Sequence, residues 1–303
     1  MSVDLAVGGA AFLDLTFVGL SEIPAPGQER HADDLLGSPG GAAISAIGAA
    51  RLGLTVALCS ALGNDYAGRF LRTQLAAEGV RLAGPITDRT PVTVVLPSHG
   101  DRAMATFDPR HALRADDLAR LEPRAVLLGL GDAGLAPPDA LVYLGVGDAE
   151  ADAHAGGLPE HVRGARALFA NEGEALRLSG EDDAEYAARA LAEQVETAVV
   201  TLGPAGALAA AGGRIHRAQG TRAEVVNPTG AGDLFAAAWI WADLRGAAVQ
   251  DRLVWATLAA AHSVRHHVVA DAAVPLAALV AAGAEIGLPA PAARSATVTG
   301  HKE

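Results

Sequence analysis

The chain opens on Val3-Asp-Leu-Ala-Val, a nearly continuous apolar run closed by Gly8-Gly9, and this pattern predicts a buried strand ending in a glycine turn. Residues 12–19 and 29–36 read as short strands on either side of the breaker-rich Ile23-Pro-Ala-Pro-Gly27. Residues 41–52 are small and apolar at helical reach, with Gly53 as the stop, and 55–61 predict another buried strand. A helix over 67–78 stops at Gly79. Residues 92–97 and 102–107 flank Ser98-His-Gly-Asp101 as a hairpin would.

Beyond that hairpin, strands and helices alternate. Strands are expected at 126–129, 141–144, 167–170 and 197–202, with a helix at 184–193. A hairpin pairs 207–211 with 215–219 around Gly212-Gly213, and helices follow at 230–244, 250–264 and 275–282. Alternation of this kind predicts a parallel sheet covered on both faces. The fold class is therefore α/β, a three-layer α/β/α sandwich. The early strand pairs do not alternate with helices and are assigned to a small antiparallel β lid, from about 12–37 and 90–108. With no internal repeat and no long linker, residues 1–290 are expected to form one domain and 291–303 a flexible tail.

Half of the 303 residues are hydrophobic, enough for a large core, and the formal net charge is −12. So acidic a chain disfavours nucleic acid and anionic membranes as partners, while a local nest of amides could still hold a phosphate. Cys59, the only cysteine, excludes an internal disulfide and cysteine-cluster metal sites, and its strand setting reads as an inert core thiol. No secretory leader is expected and no apolar stretch approaches the ~20 residues that span a membrane, so the expected compartment is the cytoplasm.

The only lysine is Lys302. That removes the Walker A loop, the strand lysine of protein kinases and the Schiff-base lysine of pyridoxal-phosphate enzymes. Any bound phosphate must be met by backbone amides, arginines, hydroxyls or a metal ion.

The segment Asn227-Pro-Thr-Gly-Ala-Gly-Asp233 leaves a strand and enters a helix rich in alanine and aromatics. Amides of Gly230, Ala231 and Gly232 at a helix N-terminus make an anion site. Asp233 beside it could take a proton from an alcohol while the amides meet the charge growing on a phosphoryl group. By itself the segment also fits an ordinary helix start with an acidic first turn.

Other segments narrow the choice. Thr229-Gly-Ala-Gly-Asp233 resembles the C-terminal signature of the ribokinase-like (PfkB) carbohydrate kinases. Gly40-Gly41 with the helix to Gly53, the Gly63-Asn64-Asp65-Tyr66-Ala67-Gly68 step, Asn171-Glu172-Gly173-Glu174 and Thr201-Leu202-Gly203-Pro204-Ala205-Gly206 resemble further family motifs, in order, over roughly residues 3 to 283. The resemblance implies a ribokinase-like fold and an ATP- and Mg²⁺-dependent kinase that phosphorylates a sugar or sugar-like hydroxyl. Asp233 would be its base, and Gly230, Ala231 and Gly232 its anion hole. Asn171 and Glu174 would arrange Mg²⁺ and its waters. Thr201, Gly203, Gly206 and Thr229 would lie along the nucleotide. Asp14, expected just after the first strand, would bind substrate with Gly40, Gly41, Ser45 and Arg102 of the lid.

Three departures bear on the substrate. Asn227 stands where the family usually has Asp, a position that in some members helps hold a monovalent cation, which leaves K⁺ open. Ile44 or Ser45 replaces the family's substrate-binding Asn. Gly145-Val-Gly-Asp148 replaces its Asp-x-Asn-x-Arg stretch. Hexose, pentose, nucleoside and sugar-phosphate acceptors stay open, as does a homodimer through the lid.

The rival readings are a nicotinamide oxidoreductase and a non-catalytic ligand sensor. Gly8-Gly9 lacks the Gly-x-Gly-x-x-Gly fingerprint the former needs. The latter would be expected to lose the base or the anion hole. His262, His266 and His267 lack the acidic partner of a zinc helix, and Trp239, Trp241 and Trp255 read as packing.

Overall fold

The computed structural model describes residues 2–98, 101–221, 223–266 and 268–292. Of the expected tail, residues 293–303 lie outside that set, as do two residues of the expected 98–101 turn and His267.

A sheet of nine strands runs in the order Arg214–Gln219, Gly206–Ala211, Thr197–Thr201, Ala167–Asn171, Leu141–Gly145, Pro123–Leu128, Val3–Gly8, Val56–Cys59, Arg81–Ala83. Every pairing is parallel except at the first edge, where the hairpin turning at Gly212-Gly213 adds two antiparallel strands. Side chains of one strand alternate between two cores, as the two-residue period requires. Phe169 and Val199 join the core containing helices Ala42–Arg51, Ala231–Asp243 and Val249–Ser263. Leu168, Ala170, Ala198 and Val200 face the core of helices Glu172–Ser179 and Ala184–Leu191. The expected three layers are present.

A second, four-stranded sheet has the order Asp34–Gly41, Ala11–Val18, Val92–Ser98, Asp101–Phe107. Its outer pairings are antiparallel, and its central one, Leu13 to Thr16 against Val92 to Val95, is parallel. The strand expected at 29–36 lies instead at Asp34–Gly41. Pro39 within it is tolerated because the strand is the sheet's edge.

The Gly63–Gly68 step explains how the small sheet is anchored. Asp65 caps the helix Tyr66–Ala77 by accepting from Gly68 N at 2.8 Å, and it also accepts from Thr90 N at 2.9 Å and Thr90 Oγ1 at 2.7 Å. Thr90 leads into the strand Val92–Ser98, so one carboxylate ties that helix start to the small sheet.

Cys59 is buried in its strand, and burial, with the charge of Asp117, pushes its thiol up to about 12. A thiol so far from ionising at neutral pH is no nucleophile. Among the described residues no helix is long and apolar enough to cross a membrane.

Candidate active site

The helix Ala231–Asp243 is buried at every position from Leu234 onward, which leaves Asp233 as the last polar residue before the core, half-buried. Gly230 caps the helix in the left-handed region at φ 79°, and a Cβ there would lie 3.0 Å from the Ile44 side chain. Both facts require glycine. The approach to the cap is fixed from two sides. Asn227 Oδ1 accepts from Thr229 N at 2.9 Å, and Val264 O accepts from Val226 N and Asn227 N at 2.7 and 3.1 Å.

Of the amides expected to form an anion hole, that of Ala231 already donates to Pro228 O at 3.2 Å. Among the described residues no acceptor takes the amides of Gly230 or Gly232. Thr229 Oγ1 is buried without a hydrogen-bond partner, and nothing crowds the position a Cβ would take on Gly232. An orphaned hydroxyl beside untaken amides at a helix N-terminus matches what an oxyanion needs.

Ser45 does something the sequence does not announce. Its hydroxyl donates to Asp233 Oδ1 at 2.9 Å, joining two helices 188 residues apart in sequence. Burial raises the Asp233 carboxyl, the Ser45 hydroxyl and its own backbone amide pull it back, and Glu174 raises it again, leaving it at about 6.

Asp14 is likewise held at about 6. Burial is the main cause, opposed by a hydrogen bond from Thr93 and reinforced by the charge of Asp233. It lies inside the strand Ala11–Val18, which follows the first strand. A Cβ on Gly40 would fall 2.1 Å from its carboxylate oxygen, so glycine there makes room for the acid. Gly41 ends the same edge strand and caps the helix Ala42–Arg51.

Asn171 and Glu174 form a reciprocal capping box. Asn171 Oδ1 accepts from Glu174 N at 2.9 Å, and Glu174 Oε2 accepts from Asn171 N at 2.8 Å. Glu174 is buried, and desolvation raises its carboxyl despite these bonds and nearby Arg177. The motif therefore builds its own helix start as well as presenting an acid to the cleft.

Two clefts meet at Thr201, Gly203, Ala231 and Gly232. One, of about 570 Å³, brings together Ser45, Asn171, Glu174, Gly230 and Asp233. The other, of about 490 Å³, takes in Gly206 and an apolar wall. Asp14, on the small sheet, lines neither of these two clefts but is near enough to feel the charge of Asp233. Arg102 belongs to the strand Asp101–Phe107, and its side chain is outside the described residues. Sequence reasoning missed Thr93 and the wall residues Thr257, Ala260, Ala261 and Val264. The spacing i, i+3, i+4, i+7 of those four on one helix was the available signal.

The His262 and His266 rings lie tilted at 39° with centroids 4.9 Å apart, and among the described residues no group of three potential ligands could hold a metal ion.

The sequence profile of the pfkB family carbohydrate kinases matches residues 4–127 and 146–275. No curated protein matches the chain. Solved structures do. Adenosine kinase from Sinorhizobium meliloti is 20% identical with a TM-score of 0.78, covering 95% of this chain and 100% of that one. Ribokinase from Thermotoga maritima is 22% identical with a TM-score of 0.77, covering 92% and 99%. Ribokinase from Cryptococcus neoformans var. grubii serotype A, in complex with ADP, is 23% identical with a TM-score of 0.71, covering 93% and 100%.

Proposed function

Since the chain belongs to the pfkB family of carbohydrate kinases, we propose that it transfers the γ-phosphoryl group of ATP to a hydroxyl of an uncharged sugar or nucleoside, with Asp233 as the base. One observation carries the reading: a carboxylate fixed by Ser45 stands on the first turn of a helix whose Gly230 and Gly232 amides and Thr229 hydroxyl are untaken. Asp14 would orient the acceptor by binding a second hydroxyl. With Oδ1 engaged by Ser45, Oδ2 of Asp233 is the oxygen that takes the proton. The acceptor oxygen, losing its proton to Oδ2, attacks the γ-phosphorus as the bond from that phosphorus to the β,γ-bridging oxygen breaks and ADP leaves, while the helix-start amides meet the charge spreading over the transferred group.

The residues present suit Mg-ATP. The helix start offers an oxyanion cradle, and the 490 Å³ cleft beside it has room for a nucleoside. Asn171 and Glu174 would hold Mg²⁺ through its waters, and the ion, when bound, neutralises phosphate charge. Asn227 spends its side-chain oxygen on the Thr229 amide, which argues against K⁺ at that position.

The charge of the acceptor cleft supports an uncharged substrate over a sugar phosphate. Among the described residues lining it are the carboxylates of Asp233 and Glu174 and no arginine, lysine or histidine. A dianionic acceptor would meet like charge with no cation among the described lining residues to offset it. A single sheet with a core on each face supports taking residues 1–290 as one domain. Exposed Leu35, Met104 and Phe107 on the small sheet support a homodimer through it.

The test is ADP release with Mg-ATP against sugars, nucleosides and their phosphates. Turnover is expected on an uncharged acceptor, with kcat/KM falling tenfold per pH unit below about 6 as Asp233 takes up a proton. Turnover confined to sugar phosphates would refute the acceptor assignment, and binding without turnover would favour a ligand sensor.

Ser45→Ala separates positioning from structure. The hydroxyl stabilises ionised Asp233, so its loss should move the acid limb up by about one pH unit, the weight of a ~1.5 kcal/mol charge-assisted hydrogen bond. The rate at high pH should stay within a few-fold of wild type, and Ser45→Thr should restore the limb. An unmoved limb would mean that Ser45 does not tune the base.

A further inference from the structure

The 490 Å³ cleft carries more information than its position. One wall is the helix Val249–Ser263, which presents Thr257, Ala260 and Ala261 at its face, continued by Val264. Val225, 56% exposed, lines the cleft as well, together with Gly220 and Thr221. Among the described residues lining it, none carries an amide, carboxylate, imidazole or guanidinium side chain.

The polar groups that remain are largely spoken for. Val264 O is taken by the amides of Val226 and Asn227, Gly220 N donates to Ala205 O, and Gly206 O accepts from Leu202 N. The Thr257 hydroxyl donates to Leu253 O in its own helix at 2.8 Å. A base entering here finds apolar surface and few groups able to read its edge. Thr201, at the end of the strand Thr197–Thr201, and Thr221 are the other hydroxyl-bearing residues of the lining.

We infer that this protein is permissive for the base of its phosphoryl donor: ATP, GTP and ITP serve comparably, held by apolar contact with the wall of Thr257, Ala260, Ala261 and Val264. The inference rests on reading this cleft as the donor site. Its physical basis is the asymmetry of discrimination. A site built to hydrogen-bond a ligand rejects the analogue lacking that group by ~10⁴-fold or more, whereas an apolar site separates close analogues by only ~10–200-fold. A purine's 2- and 6-substituents differ by groups that only a hydrogen-bonding site distinguishes strongly.

The experiment is isothermal titration of the full chain with Mg-ADP, Mg-GDP and Mg-IDP, which needs no knowledge of the acceptor. Dissociation constants within about 200-fold of one another are expected. Ala261→Phe, which fills the wall, should weaken all three by a common factor of tenfold or more. ADP binding a thousandfold tighter than GDP would overturn the inference and leave the kinase reading intact. Ala261→Phe without effect on any nucleotide would place the base elsewhere and overturn it as well. Failure of every nucleotide to bind would sink the donor site, and the kinase reading with it.

Discussion

Replacing Asp233 by Asn is expected to leave a folded protein with about one-thousandth or less of wild-type turnover, the scale of a lost general base acting with a lost charge at the reacting centre. Asn keeps the shape and can still accept from Ser45, so the change removes the proton acceptor and little else. Stability should move the other way. Asp233 in the folded chain titrates at about 6, above its ordinary carboxylate value. A group raised in this way favours folding in its protonated form, and that contribution is lost as pH rises through 6. At pH 8 wild type holds a partly desolvated charge beside Glu174 and Asp14, and the Asn variant does not. Its Tm at pH 8 should therefore equal or exceed wild type, with the two curves converging below about pH 4. Turnover within tenfold of wild type would remove Asp233 from the mechanism. Inactivity accompanied by a lower Tm would mean that unfolding, not lost chemistry, explains the effect.

What could be read in the sequence was local. Helix ends at Gly53 and Gly79 hold because both sit at positive φ just past the last helical turn, where other residues are strained. The hairpin at Gly212-Gly213 holds because two consecutive positive φ values suit its tight turn. Asp233 stood out because it follows Thr229-Gly-Ala-Gly232 at a helix start, beside a candidate anion site and in a segment that resembles a family motif. The misplaced strand shows the limit. Asp34–Gly41 exists because Asp14 pairs with Ser38 and Phe12 with Gly40, and cross-strand register of that kind leaves no trace within the segment. The three-residue edge strand Arg81–Ala83 is too short to show a period. The Ser45–Asp233 bond is legible only once both helices are packed, and the Asn171-x-x-Glu174 spacing served two readings at once, a metal-arranging pair and a capping box.

Asp243→Ala should be the most damaging change away from the site. Asp243 ends the helix that begins just after Gly230, and its side chain is 3% exposed. It accepts from Arg166 Nε and Nη2 at 2.9 Å each and from Tyr143 Oη at 2.6 Å, and pairs with Arg252 Nη2 at 2.9 Å. One carboxylate thus clamps the helix of Asp233 to the strand of Tyr143 and to the helix Val249–Ser263. Its removal strands a buried phenol and a largely buried Arg252, at a cost of about 3–5 kcal/mol. At roughly 2–4 °C per kcal/mol for a chain of this size, Tm should fall by about 10 °C. Burial pulls the Asp243 carboxyl up, but the hydrogen bonds from Arg166 and Tyr143 and the charge of Arg252 outweigh it, holding the group below its ordinary value. The clamp's contribution is therefore full above about pH 4 and is lost as pH falls through the lowered value. The gap in Tm between wild type and variant should be wide at pH 7 and shrink toward pH 3, while turnover per folded molecule in the cold stays within a few-fold. A gap that is small at pH 7, or that does not narrow on acidification, would show that the clamp carries no such weight.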